Sequence, residues 1–253
     1  MSIIDVMRRF TVDQWAAIDA EYRKPDARTD AKGIGVLLLV PLLLTIRRYY
    51  GRRSFFRAIS GSAFGKWPFP EIWAYLYNHL SAVVIYFVLP SLFIYFIFRE
   101  RLQDHGFRLK GIARYAWVYL AMLLVVLPLT VIASYSSDFT AKYPIYPKAG
   151  NSYAEFLIWE SSYAIYFVAL EFFFRGFMLF TMARYLGAYA IFVMVIPYVM
   201  IHFGKPVAET FGSIIAGTAL GTLALRTRSI FGGVIIHVAV AWCMDILAVL
   251  ATR

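Results

Sequence analysis

Seven apolar runs separated by short polar connections set the pattern of this chain: 33–46, 72–98, 115–134, 153–183, 187–203, 209–225 and 230–250. Crossing a bilayer as a helix takes about 20 apolar residues, so the pattern predicts an all-α fold. That fold is a polytopic membrane bundle of about seven hydrophobic helices. The first run is short and contains Pro41; it spans only by borrowing its flanks, or is re-entrant. Ahead of it, residues 1–33 mix both signs of charge with apolar Ile3, Ile4, Met7, Phe10, Trp15 and Ile18. That spacing predicts short amphipathic helices lying on the membrane surface, and no cleaved secretory signal. The chain thus divides into an interfacial segment (1–33), membrane helices with basic loops (34–152) and a helical core (153–253).

Composition sharpens this reading. Of 253 residues, 61% are hydrophobic and 18% aromatic, which excludes an ordinary soluble domain. The formal net charge is +10, with basic residues gathered between the apolar runs, as in cytoplasmic loops and anionic lipid contacts. No basic stripe interleaves with aromatics outside the lipid-facing runs, so nucleic acid is not an expected partner. The single cysteine, Cys243, lies in an apolar run and reads as a buried small hydrophobe. Arg184, Arg226 and Arg228 mark one face as cytoplasmic, and the Tyr- and Pro-rich connection 135–151 marks the other. The basic segment 47–66 fits neither assignment if both early runs cross, so the early topology stays open.

Charged groups inside apolar runs are the candidate chemistry. Each costs roughly 2.5–3.5 kcal/mol at membrane depth on insertion scales. Glu171 and Arg175 stand four residues apart in the fourth run, on one helical face with the acid first, the better order for pairing. Arg175 reads as a counter-ion. Glu160 precedes Glu171 by eleven residues, about three helical turns, and shares its face. Glu209 follows Pro206 at a helix start, where an acid favours the helix dipole. Asp245 and His79 are further polar residues in apolar runs, and His79 alone reads as a hydrogen-bonded core residue. The sixth run, with Gly212, Ala216, Gly217 and Gly221, predicts a closely packed helix at the centre of the bundle. Its neighbours bring His202 and His237. One carboxylate and two imidazoles meeting in a wet cavity can activate water or ligate a divalent ion; a proton or ion pathway uses the same groups.

At these residues the chain resembles a known family. Leu-Glu-Phe-Phe-Phe-Arg-Gly (170–176) resembles the Glu-Glu-x-x-x-Arg motif of the CPBP intramembrane proteases, the CAAX prenyl protease and bacteriocin-processing (Abi) family. Tyr198-Val-Met-Ile-His202 resembles its Phe-x-x-x-His motif, and His237-Val-Ala-Val-Ala241 its His-x-x-x-Asn motif. The resemblance implies a glutamate-dependent intramembrane endopeptidase in the prokaryotic plasma membrane, acting on a membrane-associated or C-terminal, CAAX-like peptide. It implies Glu171 as base, His202 as its partner, His237 as oxyanion stabiliser and Arg175 as orienting counter-ion. It also makes a divalent metal such as zinc, held by Glu171, His202 and His237, a cofactor to test rather than a requirement. Two positions depart: Leu170 stands where the motif has its first glutamate, and Ala241 where it has asparagine. Glu160, Glu209 and Asp245 are the candidate replacements. The departures also support a non-catalytic relative acting in bacteriocin immunity or partner binding. A transporter or proton channel ranks last, because no inverted repeat is visible.

Overall fold

The computed structural model describes residues 5, 8–9, 12–22 and 31–251, and the described residues form an all-helical bundle. The helices used below are α1 (Val12–Tyr22), α2 (Ala31–Tyr50), α3 (Arg53–Ser60), α4 (Ile72–Phe98), α5 (Ala113–Ala133), α6 (Tyr153–Leu186), α7 (Tyr189–Met200), α8 (Val207–Thr227) and α9 (Phe231–Ala251). Five of them, α4, α5, α6, α8 and α9, are long and apolar enough to cross a membrane. Their outward residues are what lipid requires: Leu80, Leu124, Ile132, Ile165 and Ile215 are all well exposed. The chain is therefore an integral membrane protein.

The short first run does not stop part-way. It is one helix of 20 residues, about 30 Å at 1.5 Å per residue. At one end Lys32 donates to Glu100 at 2.8 Å, just beyond α4. At the other, Arg47 donates to the Asn78 carbonyl at 3.0 Å near the start of α4. α2 and α4 are thus antiparallel and share both faces of the bundle. Pro41 is tolerated inside α2, and the Thr45 hydroxyl donates back to its carbonyl at 2.8 Å.

The basic segment after α2 consequently lies on the same face as 135–151, which settles its place in the bundle. Aromatic packing holds it there. Phe56 stacks on Tyr77 at 5.0 Å, Phe64 meets Trp67 at 5.1 Å, and the Arg53 guanidinium lies 4.1 Å above the Tyr75 ring. The opposite face is tied by polar contacts, with Lys32, His105 and Arg184 converging on Glu100.

Ile3, Ile4, Met7 and Phe10 of the predicted surface helices lie outside the described residues. Within the described part of that segment, α1 packs on protein. Ile18 is fully buried, the Trp15 indole donates to Thr222, and Tyr22 donates to the Leu225 carbonyl. Asp19 accepts the Ala188 amide at 2.6 Å, and a Cβ on Gly187 (φ +53°) would stand 1.8 Å from that carboxylate. Only glycine fits the turn between α6 and α7.

The centre of the bundle is α6, not the small-residue helix α8. Gly217 and Gly221 do abut α7, but Gly212 faces open space and Phe211 and Ile215 face outward. α6 starts at Ser152, whose hydroxyl accepts the Glu155 amide at 3.1 Å. It widens to π-helical geometry over Phe172–Leu179, every residue of which is buried. A charged pair flanked by phenylalanines has to be enclosed by neighbours, whereas glycines only permit approach. α7 has 12 residues, and its chain turns at 201–206 before entering α8 on the face of 135–151.

Candidate functional site

Three separate elements bring polar groups to one place inside the bundle. α6 supplies Glu171 and Arg175, both fully buried. The Arg175 guanidinium donates from Nη1 to Glu171 Oε1 at 2.8 Å, the i, i+4 pair expected from spacing. α9 supplies His237, whose Nδ1 lies 2.7 Å from the same oxygen, close but off the line of a good hydrogen bond. α9 passes this close because Gly233 lies against the carboxylate: a Cβ there would come within 2.2 Å of Glu171 Oε2. Such bulk would push the helices apart.

α7 supplies Tyr198. Its hydroxyl and His237 Nε2 are hydrogen-bonded at 2.9 Å, and the Arg175 guanidinium carbon lies 4.0 Å from the centre of its ring. The latter is a cation–π contact in a dry setting, where such contacts are strongest. His202, in the turn after α7, places Nδ1 2.8 Å from the Tyr198 carbonyl and its ring 4.7 Å from the Tyr198 ring. Arg175, Glu171, His237, Tyr198 and His202 therefore form one connected group. Phe167 stacks flat on His237 at 5.2 Å and fixes that ring's plane.

The connections differ from those expected. Glu171 faces His237, while His202 joins only through Tyr198. Glu171 is also enclosed and paired, so it is not a carboxylate standing free beside water. Among the described residues, no three of His, Cys, Asp and Glu gather closely enough to hold a metal ion. Glu171, His202 and His237 thus do not make the ligand set considered from the sequence. One carboxylate oxygen of Glu171 is committed to Arg175 and His237, and His202 turns its Nδ1 to a backbone carbonyl.

The three auxiliary acids are placed elsewhere. Asp245 is buried and accepts the Trp159 indole N–H at 2.7 Å. Glu160, also buried, leaves both carboxylate oxygens without a hydrogen-bond partner, while its backbone carbonyl accepts the Trp242 indole at 3.3 Å. Glu209 sits in the first turn of α8, accepting Tyr143 at 2.6 Å and pairing with Lys205 at 3.0 Å. Burial, the first cause, and the adjoining Glu209 carboxylate push the Tyr143 phenol well above its ordinary range, so it remains a donor. His79 is a satisfied core residue, bonded to Ser162 at 2.8 Å and stacked on Tyr163. Cys243 is half-buried rather than enclosed.

Tyr198 and Gly233 are the site residues that reasoning from sequence did not single out. The signals were present: a tyrosine at the phenylalanine position of the second motif, and a Gly-Gly pair one turn ahead of His237.

Residues 154–243 match the family described as type II CAAX prenyl endopeptidase Rce1-like. This segment is similar to that family. The Rce1-like segment runs from the start of α6 into α9 and contains every member of the connected group. It ends two residues short of Asp245. The match covers the same residues as the resemblance drawn from the three motifs. No curated protein and no solved structure matches the chain.

Proposed function

We propose that this protein is an intramembrane endopeptidase of the prokaryotic plasma membrane. Its substrate is a membrane-associated peptide with a prenylated, CAAX-like C-terminus. The observation that carries the proposal is the linked group Glu171–His237–Tyr198–His202 within the Rce1-like segment. In this reading His202 takes a proton from water, whose oxygen attacks the scissile carbonyl. The protonated His202 then returns that proton to the leaving amine, as general acid–base catalysis requires. Glu171, held by Arg175, anchors the His237 ring from behind, so that the polar groups of the site are fixed in place before the oxyanion develops, the electrostatic preorganisation that often dominates.

The test is cleavage of a farnesylated CAAX-type peptide by purified protein in proteoliposomes. His202→Ala and Glu171→Ala are expected to lower the rate of release of the residues after the prenylated cysteine, His202→Ala by about 10²–10⁴-fold. Full activity in both variants counts against the reading.

A second reading, a non-catalytic relative that binds a peptide or partner, is favoured by Leu170 and Ala241 and by the complete burial of Glu171. It predicts no cleavage by the unaltered, correctly folded protein, and a cellular phenotype that survives Glu171→Gln.

A further inference from the structure

Tyr198 touches every other member of the site except Glu171, yet it is almost fully buried. We propose that it is a positioning residue that fixes the tautomers of both site histidines and leaves His202 Nε2 as the free imidazole base of the site. This deepens the peptidase reading and rests on it for its catalytic meaning.

The argument follows from what each partner can accept. The Tyr198 carbonyl is an acceptor only, so the His202 nitrogen 2.8 Å away, Nδ1, carries the ring proton. In the neutral ring the lone pair is then on Nε2. Among the described residues no other group hydrogen-bonds to this ring.

His237 has the same tautomer for a different reason. Its Nδ1 lies 2.7 Å from the Glu171 carboxylate, where a bare lone pair would face negative charge. The proton is therefore on Nδ1, and Nε2 accepts the Tyr198 O–H at 2.9 Å. One residue thus treats two histidines differently: its backbone leaves His202 Nε2 open, and its hydroxyl occupies His237 Nε2. A phenylalanine here would leave both nitrogens open.

Diethyl pyrocarbonate reads lone-pair availability directly, because an unprotonated imidazole nitrogen attacks its carbonyl. Labelling of the full-length protein in detergent, followed site by site with peptide mass spectrometry, should modify His202 readily and His237 slowly. Tyr198→Phe should raise the His237 rate about fivefold, the ratio that one hydrogen bond of ordinary net strength maintains, and leave His202 unchanged. His79, bonded to Ser162 outside the site, is the internal control: its unchanged labelling shows that packing has not loosened.

Equal labelling of His202 and His237 in the unaltered protein overturns the proposal without any variant, even if Tyr198→Phe fails to fold. An unchanged His237 rate in folded Tyr198→Phe overturns it too. If the unaltered protein cleaves no peptide, the peptidase reading falls, while the labelling pattern still judges Tyr198 independently.

Discussion

Two of the glutamates that helix α6 buries, Glu160 and Glu171, have surroundings that could hardly differ more. Glu171 has a guanidinium at 2.8 Å and an imidazole at 2.7 Å. Glu160 has no hydrogen-bonding partner for either carboxylate oxygen among the described residues, and the Trp242 indole binds its backbone instead. The sequence alone makes them look equivalent, since both are acids in one apolar run. The difference comes from what the neighbouring helices present. At Glu171 the neighbour is Gly233 followed by His237; three turns earlier α9 presents Trp242, whose indole meets the backbone of α6 and not the carboxylate. A buried acid is evidence of a site only when its neighbours answer it.

The comparison can be broken most decisively at Arg175. Arg175→Met leaves Glu171 a buried charge without its main partner, and thermal unfolding in detergent should show a loss of about 3–5 kcal/mol. An unchanged melting temperature would mean the pair contributes nothing. Glu171→Gln keeps shape and an acceptor oxygen but removes the charge; the expected loss is about 1.5–3 kcal/mol, the range for hydrogen bonds to charged groups. Glu160→Leu should behave oppositely, being neutral or stabilising by up to about 1 kcal/mol, because it deletes unsatisfied polar atoms. A clear destabilisation there, or a loss of peptide cleavage, would show that Glu160 answers to a partner after all.

The smallest effect belongs to Glu100 on the face of α1. Partial burial would raise its pKa, but hydrogen bonds from His105, Arg184 and Lys32 outweigh that and hold the carboxyl well below the usual carboxylate range. A depressed folded value stabilises the fold above the ordinary glutamate range, and this contribution is lost as the pH falls through the folded value. The stability gap between the unaltered protein and Glu100→Gln, about 1 kcal/mol or less for a water-screened network, should be constant above about pH 5 and close below about pH 4. A gap that widens on acidification would reverse the sign and refute the assignment.

Much of the architecture was legible because lipid punishes exposed polar backbone: each apolar run became a helix, and even the short run around Pro41 had to continue through its flanks. The Glu171–Arg175 pair was legible from i, i+4 spacing within one helix. What could not be read were relations between helices. Small residues in 209–225 suggested a central position, yet glycine only permits contact and does not say with whom. The pairing of Glu171 with His237 rather than His202 depends on the angle at which α9 crosses α6, which no local pattern encodes. Asp245 and Trp159 meet across 86 positions of sequence, and their partnership is equally invisible before folding.

The brevity of α7 has one more result. Twelve residues reach only about 18 Å, against a hydrocarbon layer of about 30 Å, so α7 alone falls short of a crossing and non-helical backbone has to continue it. The 135–151 connection answers that backbone: Lys142 donates to the Gly204 carbonyl at 2.8 Å and Tyr143 to Glu209. A stretch that looks like a dispensable surface loop is thereby obliged to stay, and shortening it would leave the Gly204 carbonyl without its donor.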